Sequence, residues 1–355
     1  VRRHPKTAST EVGRAQERVA EGEDRGIFGF TICGLRFMMC PFGGGGRWSS
    51  HRPNGKQSIA KKIMTLLSLL RPVHWVKNVF VFAALIFSRR LADPLEPALL
   101  AVGRSAGAFV CFCLAASAIY IVNDIRDRKT DSIHPERRAR PIAAGRVSVR
   151  TAGIVAAACL GPALVGSFLL SPILAGIILA YSVLMVLYSF GLKHVMILDC
   201  AVIAVGFCLR AVAGAVAIDV FISPWLVVCT FALTLFLAFS KRRGEIAQLQ
   251  ENSEAFRRTL GEYTPELLAH MLDVSSVLAV ICFLMYAMDG ETIERFGTNH
   301  LVYTTPVVLY CIFRFSALTQ KGLYSDPVKL ILRDRPFQIG VLVWVFSCIA
   351  VIYGH

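Results

Sequence analysis

Mostly apolar stretches of roughly 17–25 residues, the length of helix that crosses a bilayer, recur nine times along this 355-residue chain. They are expected at about 72–89, 100–124, 150–170, 173–190, 195–217, 223–240, 271–289, 300–317 and 336–353. Inside hydrocarbon every backbone N–H and C=O needs a partner from the chain itself, so only helices and closed barrels cross it. None of the nine stretches alternates apolar and polar residues as a barrel strand does. The sequence therefore predicts an all-α integral membrane bundle of nine transmembrane helices. Pro172 and Pro224 fall in short turns between spans, where a missing N–H costs least.

Charge gives the bundle a direction. The loops after spans two, four, six and eight hold about 18 Lys and Arg, and those after spans one, three, five and seven hold about three. The first set is expected to face the cytosol, as in a bacterial plasma membrane. The net charge of +14 is then read as positive-inside loops facing membrane lipids and an anionic substrate, with no call for nucleic acid. The eleven Cys are scattered singly through apolar runs without a C-x-x-C pair, so they read as small buried hydrophobes.

Residues 1–63 differ from the rest. They are polar and Arg-rich, with an apolar patch at 27–42 interrupted by Gly29, Gly34 and Arg36, then a glycine run from Gly43 to Gly46. The folded domain is expected to begin near Met64 and to occupy 64–355, with 1–63 a poorly ordered extension.

The chemistry centres on Asn123-Asp124-Ile125-Arg126-Asp127-Arg128-Lys129-Thr130-Asp131, where span two leaves the membrane. Continued as a helix, Asp124, Asp127 and Asp131 fall at i, i+3 and i+7, on one face. Three carboxylates on one face repel unless a cation sits between them, and an oxygen-only ligand set suits Mg²⁺ shared with substrate phosphates. Basic residues gather on the same side: Arg138 and Arg140 in the next loop, Lys193 after span four, Lys241 and Arg242 after span six, Arg333 and Arg335 before span nine. Acids that hold a metal, beside bases that neutralise the remaining oxygens, suit a metal-bridged polyphosphate. Lys77 and Tyr188 sit at membrane edges, where each serves either as an interfacial anchor or as a substrate contact. Arg210 lies deep in span five, where a charge is costly and expected to be functional or paired; Asp199, about three turns earlier, or an acidic lipid head group is the expected partner.

The Asn-Asp-x-x-Asp-x-x-x-Asp motif after the second of nine spans resembles the UbiA superfamily of intramembrane prenyltransferases, over about residues 66–354. Members that prenylate aromatics carry a second Asp-rich cluster after span six; here that place holds Lys241-Arg242-x-x-Glu245. Arg71-Pro72-x-x-Trp75-Val76-Lys77-Asn78, Arg140-Pro141-Ile142-Ala143-Ala144-Gly145, Phe190-Gly191-Leu192-Lys193-His194, Glu262-Tyr263-Thr264 and Leu332-Arg333-Asp334-Arg335 resemble one branch, the decaprenyl-phosphate phosphoribosyltransferases of cell-wall arabinan precursor synthesis.

The resemblance implies Mg²⁺-dependent transfer of 5-phosphoribosyl from phosphoribosyl diphosphate to a polyprenyl (decaprenyl) phosphate. It implies Asp124, Asp127 and Lys241 as catalytic residues, with Asp131 completing the metal set. Lys77, Asn78, Asn123, Arg138, Arg140, Tyr188, Lys193, Arg242, Glu245, Arg333 and Arg335 are then the substrate-binding candidates, and a homo-oligomer is compatible with it. Glu245, four residues after Lys241, is expected to orient that lysine or to meet the ribose. Two other readings stand at this point: prenyl transfer from a prenyl diphosphate to an aromatic acceptor, and transport of an anionic solute.

Overall fold

The computed structural model describes residues 64–133, 137–249, 262–322 and 327–354. The 1–63 extension, the loop residue His134 and the charged run at 251–258 lie outside the described residues. Among those described there is no strand, and nine helices are long and apolar enough to cross a membrane. They are α1 (Met64–Phe87), α2 (Leu95–Ile133), α3 (Val149–Leu170), α4 (Pro172–Phe190), α5 (Leu198–Ala217), α6 (Pro224–Leu249), α7 (Pro265–Met288), α8 (His300–Gln320) and α9 (Arg335–Tyr353). The chain is a multi-pass membrane protein, as the hydropathy pattern predicts.

Local chemistry sets several helix starts. Ser148, Thr264 and Asp334 each cap a helix by accepting a backbone N–H three residues on. Pro172 and Pro265 begin α4 and α7, where their absent N–H removes no helical bond.

Two helices differ from their expected form. The second does not end at residue 124 but runs on to Ile133, for 39 residues. At 1.5 Å per residue it is about 58 Å long, roughly twice the hydrocarbon thickness, so its last turns stand clear of the apolar layer. Asp124, Asp127 and Asp131 therefore sit on a rigid helix. The first span starts at Met64 rather than near 72, and Pro72–Phe82 within it is a 3₁₀ stretch of 11 residues. Such a run is unusually long. Arg71, immediately before it, has φ 51° and ψ 58°, a left-handed conformation that residues preceding proline rarely adopt.

Neighbouring helices hold the 3₁₀ stretch in place. From α2, Ser117 accepts a hydrogen bond from Trp75 Nε1 (3.1 Å) and donates one to the Leu70 carbonyl (2.8 Å). From α5, Gly214 meets the stretch so closely that an added Cβ would lie 1.9 Å from the Val81 carbonyl oxygen. α2 and α5 are the two most enclosed spans. One apolar cluster packs α2 to α5 around Phe112, Leu174, Ile178 and Tyr181, and a second packs α6 to α8 around Phe236, Phe239, Leu272 and Phe315. The nine described cysteines are free thiols, six of them buried.

Candidate active site

Two charged clusters lie at one end of the bundle, where α2, α4 and α6 end and α1, α5 and α7 begin. The first surrounds the acidic end of α2. Asp124 is buried and pairs with Arg71 from α1 and with Arg140 from the loop before α3. The same Arg140 nitrogen reaches Asp131 at 2.6 Å. Asp127 is turned differently: both its oxygens accept from Lys193 Nζ, at 2.6 and 2.8 Å. Lys193 is 4% exposed, which is rare for lysine and tolerable only with a carboxylate beside it.

The single acidic face drawn from sequence thus divides. Asp124 and Asp131 share a guanidinium, while Asp127 faces the loop between α4 and α5. Among the described residues no group of three or more Asp, Glu, His or Cys side chains is gathered closely enough to hold a metal by itself. The donor set is nevertheless oxygen-only. Mg²⁺ is held characteristically by one or two carboxylates together with substrate phosphates. Asp124 and Asp127, one helical turn apart, fit that manner of binding, with Arg71, Arg140 and Lys193 in their immediate surroundings.

The second cluster joins α5, α6 and α7. Arg242 is 2% exposed. Its Nε donates to Asp199 Oδ2 at 2.6 Å, Nη1 pairs with Glu245, and Nη2 reaches the Tyr188 hydroxyl at 3.4 Å. The Tyr263 hydroxyl donates to the other Asp199 oxygen at 2.8 Å. This corrects one expectation: Asp199 does not pair with Arg210, because three helical turns separate them by ~16 Å even though they share a face. Glu245 pairs with its i−3 neighbour Arg242, which Asp199 also holds. Arg242, an expected phosphate contact, has three of its nitrogens engaged within the protein.

Asn78, another expected substrate contact, is enclosed. It is 1% exposed and lies in the bundle core, where its amide donates to Cys113 Sγ and accepts from Arg210 Nε at 2.7 Å. Arg210 further donates to the Gly206 carbonyl and the Tyr181 hydroxyl, and lies against the rings of Tyr181, Phe207 and Phe112. A buried guanidinium is satisfied here by neutral acceptors and aromatic faces. Of the remaining candidates, Asn123, Lys77 and Lys241 are half-buried near the charged end, and Arg138, Arg333 and Arg335 are exposed. Arg314 pairs with Asp334, the cap of α9, at 2.9 Å.

Sequence reasoning had not placed Arg71 or Tyr263 in the site. Both lie in stretches singled out for their pattern, and an arginine before proline at a membrane edge was the available signal for Arg71.

The description "UbiA prenyltransferase family" belongs to the family model that matches residues 78–332. The chain is 33% identical over 298 residues to the decaprenyl-phosphate phosphoribosyltransferase of Mycolicibacterium smegmatis, covering 81% of this chain and 92% of that protein. It is 34% identical over 291 residues to the protein of the same name from Corynebacterium glutamicum, covering 81% and 86%. A UbiA homolog from Archaeoglobus fulgidus, solved bound to GPP and Mg²⁺, shares the fold with a TM-score of 0.61 at 20% identity, covering 81% of this chain and 99% of that one.

Proposed function

The chain belongs to the UbiA prenyltransferase family, and from that premise we propose that it transfers 5-phosphoribosyl from phosphoribosyl diphosphate to a polyprenyl phosphate, decaprenyl phosphate by likeness to its named relatives, releasing diphosphate. The family is one of transferases, which sets the solute-transporter reading aside. The observation that carries the proposal is the charge pattern at the α6 end. Where prenyl-transferring members are expected to hold a second metal between carboxylates, Arg242 stands between Asp199 and Glu245. A guanidinium where a second metal would stand suits a donor whose 5-phosphate, beyond its diphosphate, is met by basic side chains such as Lys193 and Lys241 rather than by a further metal.

In the proposed reaction a phosphate oxygen of the acceptor attacks ribose C1, the C1–O bond to diphosphate breaks, and diphosphate departs with the bonding pair. Positive charge grows at C1 as in glycosyl transfer, so the site must stabilise the leaving group. Asp124 and Asp127, with Asp131 a turn further out, are the proposed holders of Mg²⁺, which would neutralise diphosphate oxygens. Arg140 and Lys193 then donate to the phosphates, and Lys241 offers a further charge. A phosphate monoester has its second pKa near about 6, so the acceptor is already anionic and no general base is required. The positive-inside count supports placing this end at the cytosol, where the sugar donor is soluble, while the acceptor's tail stays in lipid. We further propose that the catalytic domain is 64–355. Purified protein with labelled phosphoribosyl diphosphate and a polyprenyl phosphate should yield a labelled lipid and diphosphate. Prenylation of an aromatic acid from geranyl diphosphate, with no labelled lipid, would replace this reading with the aromatic one.

A further inference from the structure

Between the two charged clusters the chain makes an unusual turn. Ile197 has φ 67° and ψ −45°, and the Leu198 N–H donates to the Met196 carbonyl at 2.7 Å. This is a γ-turn of the rare positive-φ kind, centred on a β-branched residue that disfavours positive φ more than most. Such strain persists only where the surroundings hold it. Here the Ile197 N–H donates to the Tyr263 hydroxyl at 2.7 Å. That hydroxyl spends its own proton on Asp199 Oδ1 at 2.8 Å, and Asp199 is the partner of Arg242. Tyr263 is 4% exposed, and burial pushes its phenol above the ordinary value, so it keeps the proton it donates.

The turn stands four residues after Lys193, whose ammonium lies on Asp127. The two are joined by the Leu192–His194 turn and a Val195 in extended conformation. One hydroxyl thus fixes where the α4–α5 loop enters α5, and the same loop delivers the buried lysine to the acidic helix. We infer that Tyr263 is a positioning residue for donor binding: it holds the strained turn at Ile197 and thereby aims Lys193 at the Asp127 position, where the donor phosphates are handled. This rests on the reading given under Proposed function. It adds that the segment after α6 sets donor affinity through the α4–α5 loop, without itself touching substrate.

The test uses full-length protein in lipid nanodiscs. Tyr263→Phe should raise KM for phosphoribosyl diphosphate about tenfold, with KM for polyprenyl phosphate within about twofold of wild type. That size matches the loss of one well-placed charged contact. Glycine takes positive φ without steric cost. Ile197→Gly alone should leave donor KM within about twofold, and Tyr263→Phe/Ile197→Gly should recover most of the loss. A purely structural tyrosine would predict no such rescue. Hydrogen exchange by mass spectrometry gives a readout independent of turnover: Tyr263→Phe should speed exchange in peptides spanning 192–198 and leave α2 and α8 unchanged. If wild type forms no labelled lipid, the functional reading fails, while exchange confined to 192–198 still supports the positioning role. Unchanged exchange there, or acceleration throughout the bundle, overturns that role, as does an unchanged donor KM in an enzyme that turns over.

Discussion

Arg140 is the side chain whose loss should be felt most directly. One of its nitrogens lies 3.1 Å from Asp124 and 2.6 Å from Asp131, whose side chains are 4% and 2% exposed. Asp124 keeps Arg71 if Arg140 is removed. Asp131 loses the cation that compensates its buried charge. Breaking a buried ion pair by deleting one partner costs about 3–5 kcal/mol. Arg140 itself is 27% exposed, and solvent screening puts the expectation at the lower end, about 3 kcal/mol. For a domain of this size that corresponds to a melting shift of roughly 6–12 °C. Arg140→Ala should therefore melt markedly lower. Arg140→Ala/Asp131→Asn, which also removes the stranded charge, should regain about half of the loss. The buried thiols supply the assay, because a thiol-reactive dye in detergent brightens as helices separate. If the single and double variants melt together, or Arg140→Ala melts like wild type, the paired carboxylate is not what Arg140 supports.

Four further outcomes are expected. Asp124→Asn and Asp127→Asn should each abolish labelled-lipid formation while eluting as folded protein in size-exclusion chromatography; near-normal turnover at saturating Mg²⁺ would remove the metal assignment. Lys241→Ala should raise donor KM roughly ten- to hundredfold, whereas Arg242→Ala should chiefly lower the melting temperature, since its nitrogens are engaged within the protein; steady-state kinetics with melting curves separate the two. A truncated protein starting at Met64 should insert and turn over, and failure of either in a nanodisc assay would place residues 1–63 inside the enzyme. The Arg314 guanidinium holds the Asp334 carboxyl below its ordinary value of 3.8. Its stabilising contribution is therefore complete above that value and lost as pH falls through the lower folded one, so wild type should melt above Asp334→Asn at pH 6, and the gap should begin to narrow only as pH drops below 3.8.

What could be read from the sequence follows from which constraints act locally. Spans were legible because a bilayer imposes length and apolarity on each one separately, and the end of the bundle that carries the charged clusters was legible because Lys and Arg gather in alternate loops. The end of α2 was not, since hydropathy falls near residue 124 while polar helix-forming residues carry the helix on to Ile133. The 3₁₀ form of Pro72–Phe82 was invisible because its causes, Ser117 and Gly214, lie on other helices. Partner choice fared worst: helical spacing put Asp199 on the face of Arg210, but axial distance separates the two, and Asp199 takes Arg242 from another helix instead.

The pairing itself bears on how such a site works at a membrane surface. Each acid of the α2 cluster is matched by a base: Asp124 and Asp131 by Arg140, Asp124 again by Arg71, Asp127 by Lys193. Pulling one base onto a phosphate leaves a buried carboxylate bare, and occupying one carboxylate with a metal leaves a base without its partner; either is costly when little water is present. A polyphosphate arriving with its divalent cation offers both replacements at once, so every displaced group finds an opposite charge. On the proposed function, donor and metal then favour each other's binding through the chain's own ion pairs, and the favour is reciprocal by linkage. On that reading the interleaved acids and bases, which in sequence looked like a metal site with a basic rim, serve as temporary partners, and Lys193 is the one whose position Tyr263 would hold from the far side of the site.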